Sequence, residues 1–225
     1  MRLLSVDAST WWGGAALLDL HDGEARLVAE IGVEVGDSLA ARLLPIVEAL
    51  LDTAGWPRTS LDAYAAVRGP GTFTGVRVGL GLARGLALGA SRPCVGVDTL
   101  SAMAEAHGPA PFERVPLMDA GRGEVYGARF SPVGSPPPML RSPWVGTPEM
   151  ALEPGVDAFF FGRGASMHAS RLRAAGYGRT VGRAPTSVAA GAGRIALAML
   201  ASGSVDAADV APLYVRPTDA ELKFR

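Results

Sequence analysis

Two short stretches of this chain end a strand-like run on a carboxylate: 6-VDAST-10 and 118-MDAGR-122. Each is followed by another strand-like run, so Asp7 and Asp119 form a candidate matched pair. Strand-end carboxylates of this kind can hold a cation or orient a water. Between them lies 68-RGPGTFTGVRVGLGLARGLALG-89, which opens like a phosphate-binding turn. Gly69, Gly71 and the turn from Thr72 to Gly75 could present backbone N–H groups to an anion at a helix start. Ser9 and Thr10 add hydroxyls beside Asp7. Asp7, Ser9, Thr10, Gly69, Gly71 and Asp119 are therefore the candidate nucleotide contacts. The turn lacks the lysine of a Walker loop. The best candidate adenosine loop, 162-GRGAS-166, is a poor one. Independent ATP hydrolysis is not expected.

Other reactive chemistry is sparse. The three histidines, His21, His107 and His168, are scattered, with no HExxH and no pair at helical spacing, so no metal centre is expected. Cys94, the single cysteine, sits in an apolar strand and reads as a small buried hydrophobe. Thr72 and Thr74 read as helix caps. A net charge of −1 argues against a chain-wide basic surface for nucleic acid. No apolar run reaches the roughly 18 residues of a membrane span. The first residues are too short an apolar run for a signal peptide. With one cysteine, these features suit the cytoplasm.

The elements that must position these residues alternate along the chain. Strands are expected at 2–9, 14–20 and 25–35, with the Asp-Gly signal of a hairpin in 21-HDGE-24. A helix follows over 38–55, with Asp37 or Ser38 as its cap, Gly55 at its end and Pro45 inside. Its apolar face is wide: Leu39, Leu43, Ile46, Val47 and Leu50 recur at helical spacing, and Leu44 and Leu51 lie further round. Then come a strand at 63–69, a helix near 75–90, a strand at 93–98 and a helix at 99–107. A second unit begins near 110, with strands at 115–120, 124–131 and 158–162. The Pro-rich 132–143 reads as loop, and helices are expected near 166–175 and 187–202. The class is α/β, with mixed sheets flanked by helices. The repeated strand–Asp pattern suggests a duplicated unit of the actin-like/Hsp70-like kind. Residues 1–108 would be the first subdomain and 109–225 a smaller second, whose tail is free to pack back on the first.

Several stretches together resemble the TsaB (YeaZ) family: 6-VDAST-10, 43-LLPIVEALL-51, 68-RGPGTFTGVRVGLGLARGLA-87, 96-GVDTLSAMAEA-106, 118-MDAGRGEVYGARF-130 and 212-PLYVRPTDAE-221. The similarity runs along nearly the whole chain in the same motif order. The GPGTFTGVRVG block is its most specific part. The resemblance implies the actin-like/Hsp70-like fold and a non-catalytic subunit without a cofactor of its own. It implies work with the catalytic subunit TsaD and the ATPase TsaE, which together place threonylcarbamoyl on adenosine 37 of tRNAs reading ANN codons. ATP would then sit at a subunit junction or act through the partners. Where TsaD-like subunits carry two metal-binding histidines, this chain has Thr99 and Met103. It departs from the family with Asp37, where a histidine is common, and with the bulky Trp11 and Trp12.

The glycines of 75–89 fall in two rows, Gly75–Gly79 and Gly81–Gly85–Gly89. At about 100° per residue these rows point to different sides of a helix. Interior glycines each cost roughly 1 kcal/mol against alanine, which close approach of another surface would offset. In the resembled family this helix and the one before it bundle with the matching pair in TsaD. The implied partner interface is Leu39, Leu43, Leu44, Val47, Leu51, Gly75, Val78, Gly81, Leu82 and Gly85. Residues 158–205 hold no Asp or Glu but six arginines. That run reads either as a solvated face or as a tRNA-facing patch, with Arg163, Arg171 and Arg183 as the candidate contacts. Two other readings stay open: a small ATP-dependent kinase of the same fold, and a homodimeric binding or regulatory protein using the same helices.

Overall fold

The structure, a computed structural model, describes residues 1–34, 39–176, 181–182, 188–204 and 210–216. Three strands open it: β1 (Arg2–Asp7), β2 (Trp12–His21) and β3 (Glu24–Glu34). The turn between β2 and β3 places Asp22 and Gly23 at φ 50° and 83°, the left-handed pair that an Asp-Gly hairpin supplies. Then follow α1 (Leu39–Ala54), β4 (Ala63–Val67), α2 (Phe73–Ala90), β5 (Cys94–Val97) and α3 (Thr99–His107). The second unit runs β6 (Glu113–Gly121), β7 (Glu124–Phe130), β8 (Met139–Gly146), β9 (Ala158–Phe161), α4 (Arg163–Met167), α5 (Ala169–Ala174), β10 (Val181–Gly182) and α6 (Ala189–Ala201).

The first sheet has the order β3-β2-β1-β4-β5 and the second β8-β7-β6-β9-β10. In each, the first three strands form an antiparallel meander and the last two add parallel to the first strand. The same five-strand pattern thus occurs twice, as the echo of 6-VDAST-10 in 118-MDAGR-122 implied. This is the duplicated actin-like arrangement of mixed sheets flanked by helices.

Side chains on the central strands alternate between two cores, as the period of a strand requires. Leu4, Val6, Ala15 and Leu17 pack with α1 and α2 on the outer face of the first sheet. Leu3, Ala16 and Leu18 join α3, α6 and the second sheet in the other core. The helix that ends each unit packs on the other unit's sheet: α6 lies on β1, β2 and β4, and α3 on β6 and β7. The two helices also meet each other. A Cβ at Gly191 would overlap the Ala102 carbonyl, so a side chain there is excluded. Arg114, fully buried, ties this junction together. Its guanidinium donates to the carbonyls of Ala104 and Gly108 at the end of α3, and of Ser131, Val133 and Gly134 after β7, at 2.7–3.1 Å.

Three elements differ from the sequence reading. β8 lies partly in the Pro-rich segment read as loop; it is an edge strand, where Pro143 breaks no ladder on its free side. β10 is two residues long, too short for a periodic signal. The helix expected near 166–175 is two short helices, broken at His168 with φ −106° and ψ 19°. The expected caps Asp37 and Ser38 lie outside the described residues.

Candidate functional site

Asp7 ends β1 fully buried. Its Oδ1 accepts from the Ser9 backbone N–H at 2.8 Å and the Ser9 hydroxyl at 2.7 Å. Its Oδ2 is buried without a hydrogen-bond partner among the described residues. Burial outweighs the Ser9 bonds and pushes the carboxyl up from 3.8 to about 6. Asp119 makes the same short loop in the second unit, with Oδ1 accepting from Gly121 N–H at 2.9 Å. Each strand-end carboxylate thus closes its own turn onto the residue two further on. Thr10 does likewise: its hydroxyl accepts from the Trp12 N–H at 3.1 Å and donates to the Trp12 carbonyl at 2.6 Å.

The glycine-rich turn lies directly against the Asp7 loop. Thr72 N–H donates to the Ser9 carbonyl at 2.8 Å and starts α2. A Cβ at Gly71 would overlap the Ser9 carbonyl oxygen, and one at Gly75 the Ala8 carbonyl oxygen. A Cβ at Gly69 would lie 2.7 Å from the Leu213 carbonyl oxygen. These glycines therefore admit backbone. The surfaces they face present acceptor oxygens, which would repel a phosphate rather than cradle it. Gly79 belongs to the same row, with Ala8 3.3 Å from its Cβ position.

The other glycine row is open. Among the described residues, nothing outside the helix's own turns lies within 4 Å of a Cβ at Gly81, Gly85 or Gly89. Leu88 beside them is 83% exposed. Val76, Leu80, Ala83 and Ala87 are the stripe of α2 that covers its own sheet. On α1 the exposed positions are Ala41, Arg42, Leu44, Pro45, Glu48, Ala49, Asp52 and Thr53. Four residues of the expected interface face inward in the structure instead. Leu43, Val47 and Leu51 are at most 4% exposed and lie in the core with Leu50. The wide apolar stripe of α1 is spent mostly on its own sheet, and of its described leucines only Leu44 is left outside it. Gly75, too, packs inward on Ala8. Val78 and Leu82 are half-buried at the margin of the open face, and the side chain of Leu39 lies outside the described residues. Between β3 and α1, Ile31, Val33, Pro45 and Ile46 line a shallow apolar groove that borders this face.

The arginines of the acid-free run separate. Arg171 is bound by both oxygens of Glu149, at 2.7 and 2.6 Å, so an ion pair already occupies it. Arg183 lies outside the described residues. Arg163, by contrast, stacks over the Trp11 ring at 5.3 Å. Sequence reasoning missed a second such pair: the Arg77 guanidinium lies 3.5 Å over the Phe73 ring and donates to the Tyr214 hydroxyl at 3.1 Å. The spacing of Phe73 and Arg77 on a helix was visible in the sequence. Tyr214 was not, because it arrives from 137 residues away.

Thr99 and Met103, on the strand-following helix α3, are buried. Among the described residues no group of His, Cys, Asp and Glu could hold a metal ion, and no helix is long and apolar enough to cross a membrane. Burial pushes the Cys94 thiol up to about 11, so its thiolate is scarce near neutrality.

The sequence profile of TsaD, tRNA N6-adenosine threonylcarbamoyltransferase, matches residues 34–136. The tRNA threonylcarbamoyladenosine biosynthesis protein TsaB of Escherichia coli is 39% identical over 132 residues, which are 58% of this chain and 55% of that protein. TsaB of Bacillus subtilis is 34% identical over 128 residues, 56% of this chain and 53% of the relative. The aligned part thus spans about half the length of these curated relatives. The fold match is longer. The crystal structure of a Pseudomonas aeruginosa protein described as similar to the peptidase YEAZ superposes with a TM-score of 0.76 at 28% identity, covering 96% of this chain and 99% of the other. YeaZ from the same organism gives 0.75 at 29% identity, covering 95% and 99%. By sequence over more than half its length and by fold over nearly all of it, this chain is similar to the TsaB (YeaZ) proteins.

Proposed function

We propose that the chain is a non-catalytic subunit of tRNA threonylcarbamoyladenosine synthesis, which docks a TsaD-type catalytic subunit on the outer face of α1 and α2. The observation that carries this reading is the row Gly81, Gly85 and Gly89. Interior glycines cost a helix stability, and among the described residues nothing covers them. Leu88 on α2 and Leu44 and Pro45 on α1 are exposed as well, and Arg84 stands beside the row, so a partner helix can lie close to the glycines with apolar and charged contacts around them. Such a partner would carry its own α1–α2 pair and build a four-helix contact. The ATPase TsaE and the tRNA would join through the assembled complex, in the cytoplasm. Any ATP would belong to the partners or to a subunit junction. The short internal turns of Asp7 and Asp119 support a structural rather than a hydrolytic role for both.

The test is a binding titration with purified TsaD-type subunit. Gly85→Leu fills the space a partner backbone would occupy. Overpacking of about 1–3 kcal/mol should weaken the complex roughly 5- to 150-fold. Leu44→Asp should weaken it similarly by placing a charge in an apolar contact. Both chains should keep native circular dichroism, since both sites are exposed. Unchanged affinity in both variants removes the docking assignment. The mass of the chain alone shows whether a second copy occupies the same strip when the partner is absent.

A further inference from the structure

We infer that the mouth beside the Asp7 loop is a stacking surface for unpaired RNA bases, built from Trp11 with Arg163 and from Phe73 and Tyr214 with Arg77. The inference rests on the proposed role in tRNA modification and assigns the RNA contact to residues of this chain.

The rings are an anomaly of burial. Trp11 is 48% exposed, Trp12 36%, Phe73 50% and Tyr214 44%. Among the described residues, Phe112 is the one other Phe, Tyr or Trp of comparable exposure. A protein with a generous core does not leave four large rings outside it without a use. They come from three segments that converge. The loop carrying Trp11 and the turn preceding Phe73 are joined by the Thr72–Ser9 hydrogen bond. The segment carrying Tyr214 is held by the Leu213 N–H, which donates to the Arg68 carbonyl at 2.7 Å. Phe73 and Tyr214 stack at 6.0 Å between centroids with 27° between planes. Arg216 then carries this segment across to the second unit, where it donates to the Ala120 carbonyl at 3.1 Å beside Asp119.

The charges distinguish a polyanion from a protein surface. Arg77 and Arg163 each lie over a ring, and neither forms a salt bridge with a carboxylate among the described residues. Arg171 and Arg129, elsewhere, and Arg216, at the edge of the mouth, are each paired with a glutamate. The mouth therefore offers exposed rings for bases and, for phosphates, guanidiniums that no carboxylate among the described residues neutralises. That combination suits single-stranded or looped RNA, whose bases are unstacked and can be received on aromatic faces. A duplex, with its bases stacked inside, would gain only the phosphate contacts.

The experiment titrates the full chain, and its complex with the TsaD-type subunit, with a tRNA-derived stem–loop and with a blunt duplex of the same stem. Tryptophan fluorescence reports stacking and anisotropy reports affinity. The expected result is tighter binding of the stem–loop, with tryptophan quenching. Trp11→Ala or Phe73→Ala should lose roughly 5- to 100-fold in affinity. Trp11→Phe should restore most of it, because the ring is retained. Arg77→Gln should lower the slope of log affinity against log salt by about 0.7 for a lost single-strand phosphate contact. Assembly with the TsaD-type subunit should be unchanged in all four variants, which separates this inference from the docking assignment. Equal affinity for stem–loop and duplex would overturn it. So would ring variants that bind RNA as wild type but lose the partner subunit, since the rings would then be a protein contact.

Discussion

Asp7 is the residue at which chemistry and architecture compete most directly. Its carboxyl is held near 6 against an ordinary 3.8 because burial disfavours the charge, and one oxygen has no donor among the described residues. A carboxyl whose folded pKa is raised favours the protonated native state. The stability it allows is fully present below about 3.8 and is lost as pH rises through about 6. A shift of this size corresponds to roughly 3 kcal/mol of destabilisation at neutral pH. Asp7→Asn keeps an oxygen for Ser9 and removes the charge. Its stability relative to wild type should therefore improve by up to about 3 kcal/mol between pH 4 and pH 7.5, read from urea unfolding. A pH-independent difference would show that Asp7 is not buried as a strained carboxylate. The isolated wild-type chain should hydrolyse ATP at background, and Asp7→Asn should leave that unchanged. A wild-type rate that the substitution abolishes would support the kinase-like alternative.

At the scale of elements, α2 carries two glycine rows with opposite duties, and substitution should separate them. Gly75→Ala drives a methyl into the Ala8 carbonyl and should destabilise the fold by about 1–3 kcal/mol. Gly85→Ala meets nothing within 4 Å and should stabilise the isolated chain by up to about 1 kcal/mol through helix propensity alone. Thermal unfolding of the two variants checks the signs; the same sign in both would erase the distinction. The two rows were legible in the sequence, because four-residue spacing on a helix fixes direction. Which row faced inward was not, since that depends on where β1 ends. The overestimate of the docking face has the same origin. Hydrophobic periodicity identifies the apolar stripe of α1 but does not say what covers it, and its own sheet claims Leu43, Val47 and Leu51. Arg114 shows a further limit: a lone arginine in a strand gives no sign that five carbonyls from the end of α3 and the loop after β7 converge on it.

For the whole molecule, duplication explains the economy of the fold. Two copies of one five-strand pattern exchange their last helices, so a single core joins the units and the outer helices α1 and α2 are left for another task. The repeated strand–Asp motif made the duplication readable in advance. The return of residues 210–216 to the mouth, and with it the Tyr214 cluster, depends on contacts too distant in sequence for any local pattern to reveal. The central claim is that this chain enables threonylcarbamoyl transfer by docking, without performing it. The most direct measurement is transfer to tRNA by purified TsaD-type and TsaE-type subunits, with the wild-type chain, with Gly85→Leu, or with neither. The account predicts full activity with wild type, strongly reduced activity with Gly85→Leu, and none from this chain alone. Transfer by this chain without the TsaD-type subunit, or undiminished transfer when it is omitted, would contradict it.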